Sequence, residues 1–172
     1  ALTKLSMQFA QHKQIRKYHA IVYGIFLDQK NQDQKIETWH GRDPRNRIKY
    51  AVQPEGVGKK AILTYQVLEN LRHHMCSLVE CCLKTGRTHQ IRVQMASIGH
   101  GVVGDSLYVA VPQGVRDLKE LFAQIHKMVS RQMLHAVELG FKHPATDQQM
   151  TFRSDYPEDF KAVIKRLREK DG

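Results

Sequence analysis

An alternating hairpin that runs into a glycine turn constrains this chain more than anything else in it. From Ala61 to Leu71, Ile62, Thr64, Gln66 and Leu68 alternate with Leu63, Tyr65 and Val67. That is the period of a half-buried strand, whose side chains point to opposite faces in turn. Val79, Cys81 and Leu83 alternate within Met75 to Lys84, which reads as the hairpin partner. The second strand leads directly into Lys84-Thr85-Gly86-Arg87-Thr88-His89-Gln90-Ile91-Arg92-Val93. Past the Gly86 turn, Gln90 to Ile98 is expected to be a helix. A polar, cation-bearing turn is thereby fixed between a strand and a helix.

The flanking segments extend this pattern into an α+β domain with a mixed, largely antiparallel sheet and helices packed on it. Residues 1–12 read as the end of an amphipathic helix, with Leu2, Leu5 and Phe9 at helical spacing. Tyr18 to Leu27, Ile36 to His40, Ile48 to Val52, Leu134 to Phe141 and Gln149 to Phe152 read as strands. Asp28 to Gln34, Gly41 to Arg47 and Pro54 to Gly58 read as loops or turns. Leu118 to Met128 and Phe160 to Leu167 have helical spacing, and Lys165 to Lys170 forms a charged helical tail. Without a repeat or an internal linker, residues 1–172 are expected to form one domain, a length that buries an adequate core.

Lys plus Arg outnumber Asp plus Glu by 27 to 17, giving a net charge of +10. Such a surplus favours an anionic partner, with nucleic acid first. Arg42, Arg45, Arg47, Lys59 and Lys60 are candidates for gripping phosphates. Three cysteines, Cys76, Cys81 and Cys82, form no paired framework and suggest a reducing, cytoplasmic compartment. They also lack the spacing of a zinc site. No apolar run is long enough to span a bilayer, so a membrane partner is not expected.

Within 87–92 lie two arginines, a threonine, a histidine and a glutamine. A guanidinium fork pairs bidentately with carboxylate or phosphate, and its neighbours add donors and acceptors. Arg92, flanked by Ile91 and Val93, is placed in a pocket, because an unpaired charge among apolar groups is costly. Arg87, Thr88, His89 and Gln90 are expected to position a ligand or hold the loop. Three other patterns carry less. Gly56-Val57-Gly58-Lys59 lacks the rest of a phosphate loop. Gly101-Val102-Val103-Gly104 reads as a tight turn needing positive φ, rather than a nucleic-acid clamp. The adjacent His73 and His74 lack the helical spacing of zinc ligands.

Thr-Gly-Arg-Thr-His-Gln-Ile-Arg-Val at 85–93, followed by Gly99-His100-Gly101-Val102-Val103-Gly104-Asp105-Ser106-Leu107-Tyr108, resembles the signature of the RluA-like RNA pseudouridine synthases. The resemblance covers nearly the whole chain. Lys17-Tyr18-His19-Ala20-Ile21-Val22-Tyr23-Gly24 is similar to a family strand, with Lys next to Tyr. Gly58 to Thr64, Leu134-His135-Ala136 and Phe141-Lys142-His143-Pro144 are similar to further family motifs.

The resemblance implies a pseudouridine synthase catalytic domain that isomerises uridine to pseudouridine in rRNA or tRNA, with RNA as partner. It implies no metal, nucleotide or organic cofactor. A monomer is expected. Arg92 and Tyr18 would be the catalytic pair. Arg92 would hold the nucleophilic Asp, and Tyr18 would lie against the target base. Lys17, Arg87, Thr88, His89 and Gln90 would bind substrate. The family's Asp sits in a His-Arg-Leu-Asp motif that none of the 172 residues forms. The chain is therefore expected to begin after that loop, as a portion of a longer enzyme or as one that has lost its nucleophile. The alternatives are a non-catalytic RNA-binding module of the same fold and an interaction domain for an acidic protein partner.

Overall fold

The computed structural model describes residues 2–11, 14–27, 31–71, 75–116 and 119–169. Along the chain run α1 (Leu2–Ala10), β1 (Ile15–Tyr23), β2 (Gln34–Asp43), β3 (Asn46–Gln53), β4 (Lys59–Leu71) and β5 (Cys76–Leu83). Then follow α2 (Gln90–Ser97), α3 (Gln113–Arg116), α4 (Lys119–Met128), β6 (Leu134–Lys142), β7 (Gln149–Arg153) and α5 (Glu158–Arg168). Seven strands form one sheet in the order β3-β2-β4-β5-β1-β6-β7. Each described pairing is antiparallel. His73, His74, Leu118, Lys170 and part of the 28–34 loop lie outside the described residues.

The alternation of the strands divides the core between the two faces of the sheet. Ala20 and Val22 of β1, Leu63, Tyr65 and Val67 of β4, and Val79 and Cys81 of β5 pack with Ile91 and Met95 of α2. Ile21 and Tyr23 face the other way, onto Ile125 of α4 and Phe160, Val163, Ile164 and Leu167 of α5. Strand β1 is central and supplies both layers. A one-residue slip of β1 would exchange its two sets of side chains, so burial fixes its register.

Beyond the start of β6, the segment 101–104 takes over as β1's neighbour. The Tyr23 amide donates to Gly101 O at 2.9 Å, the Val103 amide to Ile21 O at 2.8 Å, and the Met133 amide to Val103 O at 2.7 Å. Of the two glycines expected to take positive φ, Gly104 does and Gly101 does not. Gly104 has φ +76°, and a Cβ there would lie 2.2 Å from Arg131 O. Gly101 does not have positive φ; a Cβ there would lie 2.7 Å from both the Ala110 nitrogen and oxygen. Close backbone approach, not backbone conformation, accounts for Gly101.

On the α5 face, His19 and His135 sit opposite each other on β1 and β6. Both rings pack on Tyr156, with centroids 5.6 and 6.1 Å away, and His19 Nδ1 hydrogen-bonds the Tyr156 hydroxyl. Burial holds His19 below the ordinary imidazole pKa, against the raising effect of Glu80. In the unfolded chain His19 protonates near pH 6.5, while in the folded chain it stays neutral to lower pH. The stability present above about pH 6.5 is therefore lost as pH falls through the folded value. Thermal midpoints measured from pH 7.5 to 5 should decline, and His19→Gln should flatten that decline.

Candidate active site

The site is built where β5 enters α2. The loop at 84–89 is tied down by two buried glutamines on consecutive turns of α2. Gln90 Oε1 accepts from Thr85 Oγ1 at 2.8 Å and from the Arg87 amide at 3.0 Å. Its Nε2 donates to Ile62 O of β4 and to Gln94 Oε1. Gln94 Nε2 in turn donates to Ala61 O at 3.1 Å and Thr38 Oγ1 at 3.0 Å. Every polar atom of Gln90 is thus committed to the protein and its side chain is buried. Of the two parts expected of Gln90, positioning a ligand or holding the loop, these bonds give it the second. It is a strut of the loop.

Arg87 lies in the loop, and its Nε donates to Lys60 O at 2.9 Å. Thr88 is exposed, while its carbonyl accepts from His40 Nε2 at 2.8 Å. His89 precedes α2 in left-handed conformation, with φ 56°. Its Nδ1 pairs with the Tyr108 hydroxyl at 3.0 Å. That hydroxyl also accepts the Tyr50 amide of β3 at 3.0 Å. Burial lowers the His89 pKa, Arg92 lowers it further, and Asp105 opposes them.

Arg92 stands on the first turn of α2 and meets Asp105 through a bidentate pair. Its Nε donates to Asp105 Oδ2 at 2.6 Å and its Nη2 to Oδ1 at 2.8 Å. The guanidinium carbon lies 5.0 Å from the centre of the Tyr108 ring, within cation–π range. Asp105 Oδ1 also accepts the amides of Leu107 at 2.8 Å and Tyr108 at 3.0 Å. Burial pushes the Asp105 pKa up, but Arg92 and the two amides outweigh it and leave it below the ordinary carboxylate value. The hydrogen bonds to Asp105 raise the Arg92 pKa.

Arg92 was expected to await a carboxylate from outside the chain. Its fork instead grips Asp105 of the second signature, and only Nη1 lacks a protein hydrogen bond among the described residues. Asp105 is fully buried and its oxygens are engaged with four donors, so it is a holder of Arg92 rather than a nucleophile.

Tyr18 lies on β1 and packs against the cluster that contains Ile91 and Met95 of α2. Lys17 does not share that face. It points to the α5 side and donates to Glu80 Oε1 at 3.1 Å. Its neighbourhood with Tyr18 in sequence therefore lends no support to the substrate-binding role expected of it, because adjacent strand residues face opposite ways. The cation two residues before Tyr18 is Arg16, and it does share the face. Arg16 was missed, although the strand period of the sequence points to it. The position-holding roles of Asp105 and Tyr108 were missed as well, because they depend on how the 101–104 segment docks.

The RNA pseudouridylate synthase family matches residues 1–97. That is more than half of the chain, and the chain belongs to this family. It is 39% identical over 163 residues to ribosomal large subunit pseudouridine synthase D of Zymomonas mobilis, covering 95% of this chain and 48% of that protein. It is 40% identical over 173 residues to an uncharacterized RNA pseudouridine synthase of Chlorobaculum parvum, covering 98% and 51%. The chain thus spans about half the length of these curated relatives. Human RNA pseudouridylate synthase domain containing 1 shares the fold with TM-score 0.71 and 22% identity, over 94% of this chain and 63% of that one. Among the described residues no helix is long and apolar enough to cross a membrane.

Proposed function

We propose that this chain forms most of the catalytic domain of an RNA pseudouridine synthase, acting on uridine in rRNA or tRNA. The observation that carries the reading is the Arg92–Asp105–Tyr108 assembly in a chain of this family. A guanidinium is locked by two of its nitrogens and presents the third. In the reaction the C1′–N1 bond of uridine breaks, the base rotates, C5 joins C1′ and releases its proton, and N1 takes up a proton. Arg92 Nη1 serves as the donor that orients the nucleophilic carboxylate, an aspartate that the 172 residues do not carry in the family's motif. Tyr18 lies against the extruded base. Arg87, Thr88 and His89 form the rim that receives RNA.

The net charge of +10 supports RNA as the partner, and Arg45, Arg47 and Lys59 are exposed to meet it. Arg42 and Lys60 are partly committed, Arg42 to Arg47 O and the Tyr50 ring, Lys60 to Glu37. Binding of single-stranded RNA should weaken with salt, with log K falling by about 0.7 per phosphate contact for each unit of log salt. A titration across salt concentrations reads this slope, and a flat response would remove the phosphate-gripping face.

Tritium release from 5-tritiated uridine RNA tests the activity. The 172 residues alone should release none, while a version carrying a His-Arg-Leu-Asp loop ahead of Ala1 should release it. RNA binding without release in both would favour a binding module. Turnover by the 172 residues alone would require another nucleophile.

A further inference from the structure

Arg16 is a cation whose donors the described protein does not satisfy. Its Nε and Nη2 are buried and have no hydrogen-bond partner. Its guanidinium lies across Gly86, where a Cβ would come within 2.6 Å of Nη1 and 3.5 Å of Cζ. Burial lowers its pKa and nearby Tyr18 partly offsets the effect. Gln14, two positions earlier, leaves its buried Oε1 without a partner too. Unmet buried donors, and still more an unpaired buried charge, cost free energy until an acceptor arrives. The other arginine of the site, Arg92, already has its carboxylate. Arg16 contrasts with it: on β1, with its guanidinium across Gly86 of the loop that leads into α2, it has no carboxylate partner among the described residues.

We propose that Arg16 is a second cationic subsite of the active site, which receives an oxyanion next to Tyr18 when substrate is engaged. Gly86 is side-chain-free to let the guanidinium occupy that place. The oxyanion has two chemical sources, an RNA phosphate beside the target uridine or the carboxylate that attacks it. The inference rests on the reading of the site as an RNA-modifying one. Its phosphate arm, however, is read by binding without turnover, so its failure is distinct from a failure of the activity.

The test compares the wild-type chain with Arg16→Gln on a short single-stranded RNA containing one uridine. A second RNA carries neutral methylphosphonates at the two linkages flanking that uridine. If the source is phosphate, Arg16→Gln binds native RNA about tenfold more weakly and the neutral RNA as well as wild type does. If the source is the carboxylate, both affinities are kept. In the version carrying the aspartate loop, the acidic limb of the pH–rate profile then moves to higher pH. In either case the unliganded variant is at least as heat-stable as wild type, because a half-buried cation with two unmet buried donors has been removed. Unchanged binding together with an unchanged pH profile would overturn the proposal. So would a lower thermal midpoint with equal losses on both RNAs, the mark of a packing residue. If Arg16→Gln does not fold, Arg16→Lys, which keeps the stem and the charge but not the fork, is read in the same assays.

Discussion

Arg92→Lys, in a version carrying the aspartate loop, is expected to lose about a hundredfold or more in turnover while RNA affinity changes by no more than about threefold. Two features of the structure set this expectation. Two nitrogens of the guanidinium are spent on Asp105, and the Tyr108 ring lies beside its carbon. The group cannot swing, so its remaining nitrogen has one direction. A lysine has a single nitrogen and a flexible stem. It can satisfy Asp105 or reach the nucleophile, but it cannot hold a planar fork on one while addressing the other. Arg87→Lys contrasts with it. Arg87 lies on the loop and bonds a backbone carbonyl through Nε, so its loss should weaken binding or loop stability more than chemistry. Single-turnover rates and filter-binding affinities for the two variants separate the cases.

Asp105→Ala is expected to destabilise the fold by about 3–5 kcal/mol, the range for leaving a buried partner unpaired. The carboxylate is fully buried, while the Arg92 side chain is only 14% exposed. Removal strands that guanidinium and frees the amides of Leu107 and Tyr108. For a chain of this length the thermal midpoint should fall by about 6–20 °C. The acid response has a definite sign. Because the folded-state pKa of Asp105 is lowered, its contribution is full above the unfolded value of about 3.9 and disappears as pH falls through the folded value. Thermal or urea unfolding of wild type and Asp105→Ala should therefore converge in strong acid. A variant as stable as wild type near neutrality would show that the pair holds neither the loop nor Arg92.

The strands and main helices were legible because their periods are local. Leu63, Tyr65 and Val67 against Ile62, Thr64 and Gln66 define β4 without reference to anything distant. The order of the seven strands was not legible, since it depends on pairings such as β1 with β6 across more than a hundred residues. The short α3 was missed: four residues carry too little periodicity to announce a helix. At the site, the signatures led to Arg92, His89 and Tyr18, but not to what each side chain touches. Lys17 attracted attention as Tyr18's neighbour, although β-strand geometry gives that face to Arg16. Gln90 looked like a ligand-binding amide. Only the docking of α2 on β4 shows its bonds closed by Thr85, Arg87, Ile62 and Gln94.

Nucleoside composition of RNA after incubation measures the central claim most directly. A uridine-containing RNA is treated with the version carrying the His-Arg-Leu-Asp loop, then digested and separated. A second sample is treated with the same version in which the loop's Asp is replaced by Asn. Uridine is expected to be converted to pseudouridine at unchanged mass and unbroken chain length in the first sample, and not in the second. Retention of all uridine in the first sample, despite a folded protein that binds the RNA, would contradict it.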